Sequence, residues 1–353
     1  MAISKLPPPC DGSWREVCVP KSTTLNLKGY AILIMLFLHL FMNRERASGL
    51  SPLLAVQGLP LAWWLSRLCA ICVSMYMFLS GYGLWYVYRH RSQMAGGRRV
   101  FLLYLNVAFI GLLFYPWSAC FPRLGWHFDV AGVMSSFSGF NPYNAEWWFL
   151  LPWAAICLCS KRLFQLFGRW GWRRSLPAVF LLYLLLRFVV SRCDASLYVF
   201  PLRLVYEVMV VGFLLLPFAL GAFAAHTGWL AWCRSQRGRG VWWLWLTFVG
   251  VALCRIFLIP VGLFDFLVAA LACSALSTLG DVALVRRLGQ CSMEMWLIHT
   301  FFCTYYFPDF FLSLRSPLLM FVVLVAVSYA AACVCQWAFR PVRRWVEGLV
   351  ETL

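Results

Sequence analysis

Long apolar runs alternate with short polar stretches along nearly the whole chain, and this pattern dominates every other sequence signal. Ten runs stand out, near residues 28–43, 64–88, 101–120, 146–160, 175–191, 197–225, 241–257, 261–280, 291–308 and 317–338. A bilayer core takes about twenty residues of α-helix. The pattern therefore predicts an all-α polytopic membrane protein with about ten transmembrane helices. The first and fourth runs are short, and both are expected to extend into their flanks.

The polar stretches carry an orientation signal. Arg89, Arg91, Arg98 and Arg99 follow the second run, and Lys161, Arg162, Arg169, Arg173 and Arg174 follow the fourth. Arg234, Arg237 and Arg239 follow the sixth, Arg286 and Arg287 the eighth, and Arg340, Arg343 and Arg344 the tenth. Basic loops stay on the cytoplasmic side, so both termini are expected in the cytoplasm and the protein in the cell membrane. Residues 1–27 read as a loose cytoplasmic tail without a signal peptide. Residues 28–340 form the membrane domain, and 341–353 form a short cytoplasmic tail.

Composition narrows the classes further. Of the 353 residues 63% are hydrophobic and 12% charged, with a mean hydropathy of +0.77. A soluble domain could not bury so much apolar surface. The net charge of +17 is dispersed among the loops, which fits membrane orientation and argues against a nucleic-acid partner. The 15 Cys fall mostly inside apolar runs, where Cys acts as a small hydrophobe. No Cys/His spacing reads as a metal site. Paired tryptophans (Trp63-Trp64, Trp147-Trp148, Trp242-Trp243) sit at run ends, as an interfacial belt requires. Residues 121–145, with His127, Asp129, Asn141 and Asn144, form the longest outer connection and are a candidate functional loop.

Candidate chemistry begins with Lys28 and His39. Eleven residues at about 100° each come within about 20° of three full turns, so both side chains share one helical stripe, roughly 16 Å apart. Ionisable groups in lipid are costly and mark function by default. A snorkelling Lys and a packed His would be the structural alternative. Arg203 and Glu207 are spaced for an i, i+4 ion pair. Arg255 and Asp265 flank Pro260-Val261-Gly262, a turn that would join them. Both pairs read as structural. Glu294 and His299 lie about 140° apart on one helix, so at most one of them faces any given pocket.

Three segments then resemble one family. Lys28 to His39 is similar to the opening helix of the membrane acyltransferase-3 family, a cation, ten residues, then His. Phe78-Leu79-Ser80-Gly81-Tyr82-Gly83 resembles its Phe-x-x-Ser-Gly-Phe/Tyr segment. Gly289 to His299 resembles its late Gly-x-x-Ser-x-x-x-Tyr/Trp-Leu-x-His segment, and Trp148-Phe149-Leu150 its mid-chain Trp-Phe-Leu. The family's two arginines spaced three apart are replaced here by adjacent Arg98-Arg99.

The resemblance implies transfer of an acyl group, usually acetyl, from cytoplasmic acyl-CoA to a hydroxyl of an extracytoplasmic glycan or lipid-linked sugar. No resident cofactor is implied, and acyl-CoA is the donor substrate. His39 would be the catalytic base or carry the acyl group, two routes that the residues leave open. Lys28, Arg89, Arg91, Arg98, Arg99, Ser80, Gly81 and Tyr82 would bind the donor. Charge-assisted bonds suit its phosphates. The glycines could admit a thin chain or permit close helix packing. Glu146, Trp148, Glu294 and His299 are candidates for lining the acceptor path. A proton-coupled transporter or flippase, with His39 and Glu207 as relays, is the competing class. The chain's lack of an internal repeat weighs against it.

Overall fold

The computed structural model describes residues 19–50, 54–90, 96–137, 143–193, 202–237, 240–258 and 262–351. A segment that crosses lipid must satisfy its own backbone hydrogen bonds, and helices do so within one chain. The described chain is accordingly helical nearly throughout. α1 (Lys21–Phe41) and the short α2 (Arg44–Ser48) lead to a small antiparallel hairpin. Its strands, β1 (Ala55–Val56) and β2 (Leu59–Pro60), pair over two residues each.

α3 (Leu61–Cys69) and α4 (Cys72–His90) together make one apolar stretch, interrupted at Ala70-Ile71. α5 (Gly96–Phe114) tightens into a 3₁₀ turn, and the small α6 (Val130–Phe137) lies in the following connection. α7 (Leu150–Trp170), α8 (Trp172–Arg192) and α9 (Leu202–His226) are long. α10 (Trp229–Ser235), α11 (Trp242–Phe257), α12 (Asp265–Ser277) and α13 (Ala283–Gln290) are shorter. α14 (Ser292–Thr300) runs into a π-helical turn, Phe301–Tyr306. α15 (Pro308–Ser313) and the very long α16 (Pro317–Glu351) complete the chain.

Among the described residues, seven of these segments are long and apolar enough to cross a membrane. The protein is an all-α membrane protein. Three apolar runs of the sequence fold as shorter pieces: α11 has 16 residues, α12 has 13 and α14 has 9. α14 is buried on almost every side, with only Met293 partly exposed, so it lies inside the bundle instead of facing lipid.

Helix extends into both segments read as tails. α1 begins at Lys21, seven residues before the first apolar run starts at residue 28. α16 continues through Pro341 to Glu351, and residues 341–351 are therefore helical. Trp147 is also corrected: it is buried, and its indole Nε1 donates to Leu297 O at 3.1 Å, so it holds α14 and does not belong to an aromatic belt. Trp242, at 67% exposure, does fit a belt.

Packing is tightest between α4 and α9. A Cβ at Gly81 would collide with the carbonyl oxygen of Phe218, and one at Gly221 with that of Phe78. Between helices in lipid, apolar surface gives little net drive, and small residues win by letting backbones approach. Gly81 therefore serves close packing, one of the two roles its sequence left open.

Polar contacts gather several of the basic segments around the start of α1. Arg234 Nη1 donates to Thr23 Oγ1 at 2.5 Å, joining the end of α10 to the start of α1. Asn26 Nδ2 donates to Asp281 Oδ1 at 2.8 Å, drawing in the segment before α13. Lys21 and Arg99 both lie within electrostatic range of Lys28. His39 lies toward the opposite end of α1.

Candidate functional site

α1 presents His39 to a cavity of about 630 Å³ near the end of the bundle away from the basic exits. Glu146 enters the same cavity from a short 3₁₀ turn, Ala145–Phe149, that precedes α7. This turn has a local cause. Asn144 caps it by accepting from the Glu146 backbone N–H at 3.2 Å. The Asn144 amide donates to Thr300 Oγ1 at 3.0 Å, and the Thr300 hydroxyl donates back to Asn144 Oδ1 at 3.2 Å. α14 thereby fixes the segment that carries Glu146.

His39 Nε2 stands 3.5 Å from Glu146 Oε2, with the two side chains 18% and 31% exposed. The His299 ring packs on His39 at 4.9 Å between centroids, tilted by 49°. His299 Nδ1 lies 2.8 Å from Trp296 O and 3.2 Å from Met295 O, which assigns its proton to Nδ1. Its Nε2 is buried and has no hydrogen-bond partner. One imidazole and a carboxylate thus line the cavity, with the buried His299 ring packed against His39. Such a group can accept, hold and return a proton.

Trp148 also lines this cavity, together with Ala70, Cys72 and Ser74 from the break between α3 and α4. Glu294 does not. It projects from the other side of α14, where Asn106 Nδ2 and Gln336 Nε2 donate to its two oxygens at 3.1 and 2.9 Å. That divergence follows the 140° separation on the helix, and it removes Glu294 from the acceptor-lining candidates. Glu294 lies instead within electrostatic range of Lys28 and Arg343.

The expected donor-binding residues separate into groups. Lys28 is accessible to solvent although protein surrounds it, which places it in a crevice, with Arg99 nearby. Arg89 is exposed at the end of α4 and lies toward His226 of α9, apart from Lys28. Arg98 is exposed on the first turn of α5. Arg91 is outside the described residues. Ser80 Oγ accepts from Trp153 Nε1 at 3.0 Å, and the buried Tyr82 hydroxyl accepts from Val19 N at 3.4 Å. Neither lines the His39 cavity.

The ion pairs form as their spacing suggests. Arg203 Nε donates to Glu207 Oε1 at 2.9 Å along α9. Arg255 Nε donates to Asp265 Oδ1 at 2.6 Å, and Arg255 is wholly buried. Asp265 has a second aspect, because it also lines the cavity.

In the outer connection, Asp129 Oδ1 accepts from Gly132 N at 2.6 Å and starts α6. The His127 carbonyl accepts from the Tyr143 hydroxyl at 2.8 Å. Asn141 is outside the described residues. Of the named loop residues that are described, Asn144 is the one that reaches the site.

Sequence reasoning did not find Arg187, Tyr183, Tyr206 or Thr304, all of which line the cavity. Arg187 was visible as a cation near the end of an apolar run, with Tyr183 four residues before it on the same face and no carboxylate at that spacing. Compared with protein-family models, with curated proteins and with solved structures, the chain matches none. The site and the membrane fold carry the functional argument themselves.

Proposed function

We propose that this protein is an integral-membrane acyltransferase, moving an acyl group from acyl-CoA to a hydroxyl of a glycan or lipid-linked sugar across the bilayer. One observation supports it most. His39, 3.5 Å from the Glu146 carboxylate, faces a cavity at one end of α1, while Lys28 and Arg99 supply cations at the other. Both termini and the basic loops would lie in the cytoplasm, with about ten crossings in all.

CoA has a phosphate-rich nucleotide head on a long neutral arm. Lys28 and Arg99 suit the head, and the arm would run along α1 toward His39. The Glu146 carboxylate, 3.5 Å from His39 Nε2, would orient the ring and stabilise the imidazolium formed when Nδ1 takes a proton. The acceptor O–H loses that proton to His39 as its oxygen attacks the thioester carbonyl. The C–S bond breaks, and the imidazolium returns the proton to the departing thiolate. The products are an ester and free CoA. Transfer through an acyl-His intermediate uses the same residues.

A second reading rests on the His39, His299 and Glu146 cluster, which could relay protons in a transporter or flippase. Purified protein in lipid nanodiscs, supplied with radiolabelled acetyl-CoA and a mixed glycan extract, separates the two. Acyl transfer predicts free CoA and labelled glycan that both vanish in His39→Ala. Absence of both, with proton-driven uptake of a sugar in proteoliposomes, would favour the transporter.

A further inference from the structure

Arg187 places a cation in the wall of the cavity that His39 and Glu146 also line, and the structure shows what holds it there. Arg187 Nε donates to the Tyr183 hydroxyl at 3.3 Å. Its guanidinium carbon sits 5.1 Å from the Phe213 ring centroid and 5.7 Å from that of Tyr183. The Tyr183 hydroxyl in turn donates to Gly262 O at 2.9 Å. Gly262 has φ +92, and a Cβ there would come within 2.5 Å of Arg187 Nη2. A turn that glycine alone permits therefore leaves room for the guanidinium.

The two carboxylates that line the cavity lie nearest other partners. Asp265 is engaged by Arg255 at 2.6 Å, and Glu146 faces His39. Both Nη atoms of the wholly buried Arg255 lack a hydrogen-bond partner, so Asp265 is already claimed by a second guanidinium. Among the described residues no carboxylate stands within ion-pair distance of Arg187. An unpaired cation in such surroundings is costly and marks a ligand contact. A planar guanidinium pinned over two rings is preorganised for a forked bond to an oxyanion.

We infer that Arg187 binds a phosphate or carboxylate of the acceptor, so that the compound acylated in this cavity is an anionic sugar and not a neutral one. This rests on the acyl-transfer reading for the word acceptor, but the anion site itself does not.

The test measures thermal unfolding of the purified protein in detergent, without acyl-CoA, at constant ionic strength. Glucose 1-phosphate, glucuronate, methyl glucoside and farnesyl phosphate serve as probes. Glucose 1-phosphate and glucuronate should each raise Tm, and methyl glucoside should not. Arg187→Gln should weaken both anions about 10- to 100-fold, the scale of one charge-assisted hydrogen-bond set. Arg187→Lys should restore part of the response, and His39→Ala should leave it intact. Size-exclusion profiles confirm that each variant is folded.

Equal shifts with methyl glucoside, or an anion response that survives Arg187→Gln, would overturn the inference. So would a response confined to farnesyl phosphate, which would make Arg187 a lipid-headgroup contact. Anion binding that persists in a protein with no acyl transfer would fail the proposed function and leave the site standing.

Discussion

The rings of His39 and His299 pack at 4.9 Å, although they come from the first long helix and from the short, buried α14 late in the chain. Between them they have one carboxylate, Glu146, on His39, and one unsatisfied nitrogen, Nε2 of His299. The arrangement gives the two imidazoles different work. His299 is held by backbone carbonyls and buttresses the ring that reaches the cavity.

His39→Ala should lower kcat for acyl transfer about 10²- to 10⁴-fold, the usual contribution of a positioned base. Glu146→Gln should lower it less, because the ring remains and loses only its partner. The KM for acyl-CoA should stay near its original value in both. Free CoA measured per folded molecule checks this, and near-normal turnover in His39→Ala would remove the base.

Lys28 is expected to act on binding alone. Losing a charged contact to phosphate costs about 1.5–3 kcal/mol. Lys28→Ala should therefore raise the KM for acyl-CoA roughly 10- to 150-fold with kcat held. Lys28→Arg should retain most activity, and Arg99→Ala should show the same pattern as Lys28→Ala. A fall in kcat at constant KM would contradict the donor role.

Gly81→Ala tests packing against passage. The new methyl meets the rigid backbone of α9 at Phe218, and such overpacking costs about 1–3 kcal/mol. Tm in detergent should fall, while activity per folded molecule stays close to that of the unaltered protein. A selective loss of activity at unchanged Tm would return Gly81 to the donor path.

The two ion pairs should differ in their response to truncation. Arg255 is entirely buried, whereas the Arg203 side chain is 30% exposed. Removing one member of a buried pair costs about 3–5 kcal/mol. Asp265→Ala should therefore depress Tm more than Glu207→Ala. Replacing both Arg203 and Glu207 by leucine should recover part of the loss seen for Glu207→Ala. No recovery, joined to lost activity at normal Tm, would instead assign Glu207 a part in the chemistry.

Membrane orientation can be read by thiol labelling, after the native exposed cysteines are replaced. Gly97 and Val130 are both exposed, at the start of α5 and in the connection before α7. Gly97→Cys should react only in permeabilised cells, and Val130→Cys should react in intact cells. The reverse result would invert the proposed topology.

The helical membrane character was readable along the chain, because it depends on a local quantity, the length of the apolar runs. The opposed directions of Glu294 and His299 followed from helix geometry in the same way. Partners were another matter. Nothing in the spacing of Asn144, Glu146 and Thr300 shows that a capped 3₁₀ turn sets a carboxylate beside His39, because those contacts join segments far apart in sequence. Gly81 shows the same limit. A glycine in an apolar helix suits a passage and a close helix contact equally well, and the approach of α9 decided between them. Arg187 became a candidate for binding only once α8, α9 and the Gly262 turn enclosed it. An ionisable group in lipid announces a need for company in one dimension, and three dimensions supply it or leave it open for a ligand.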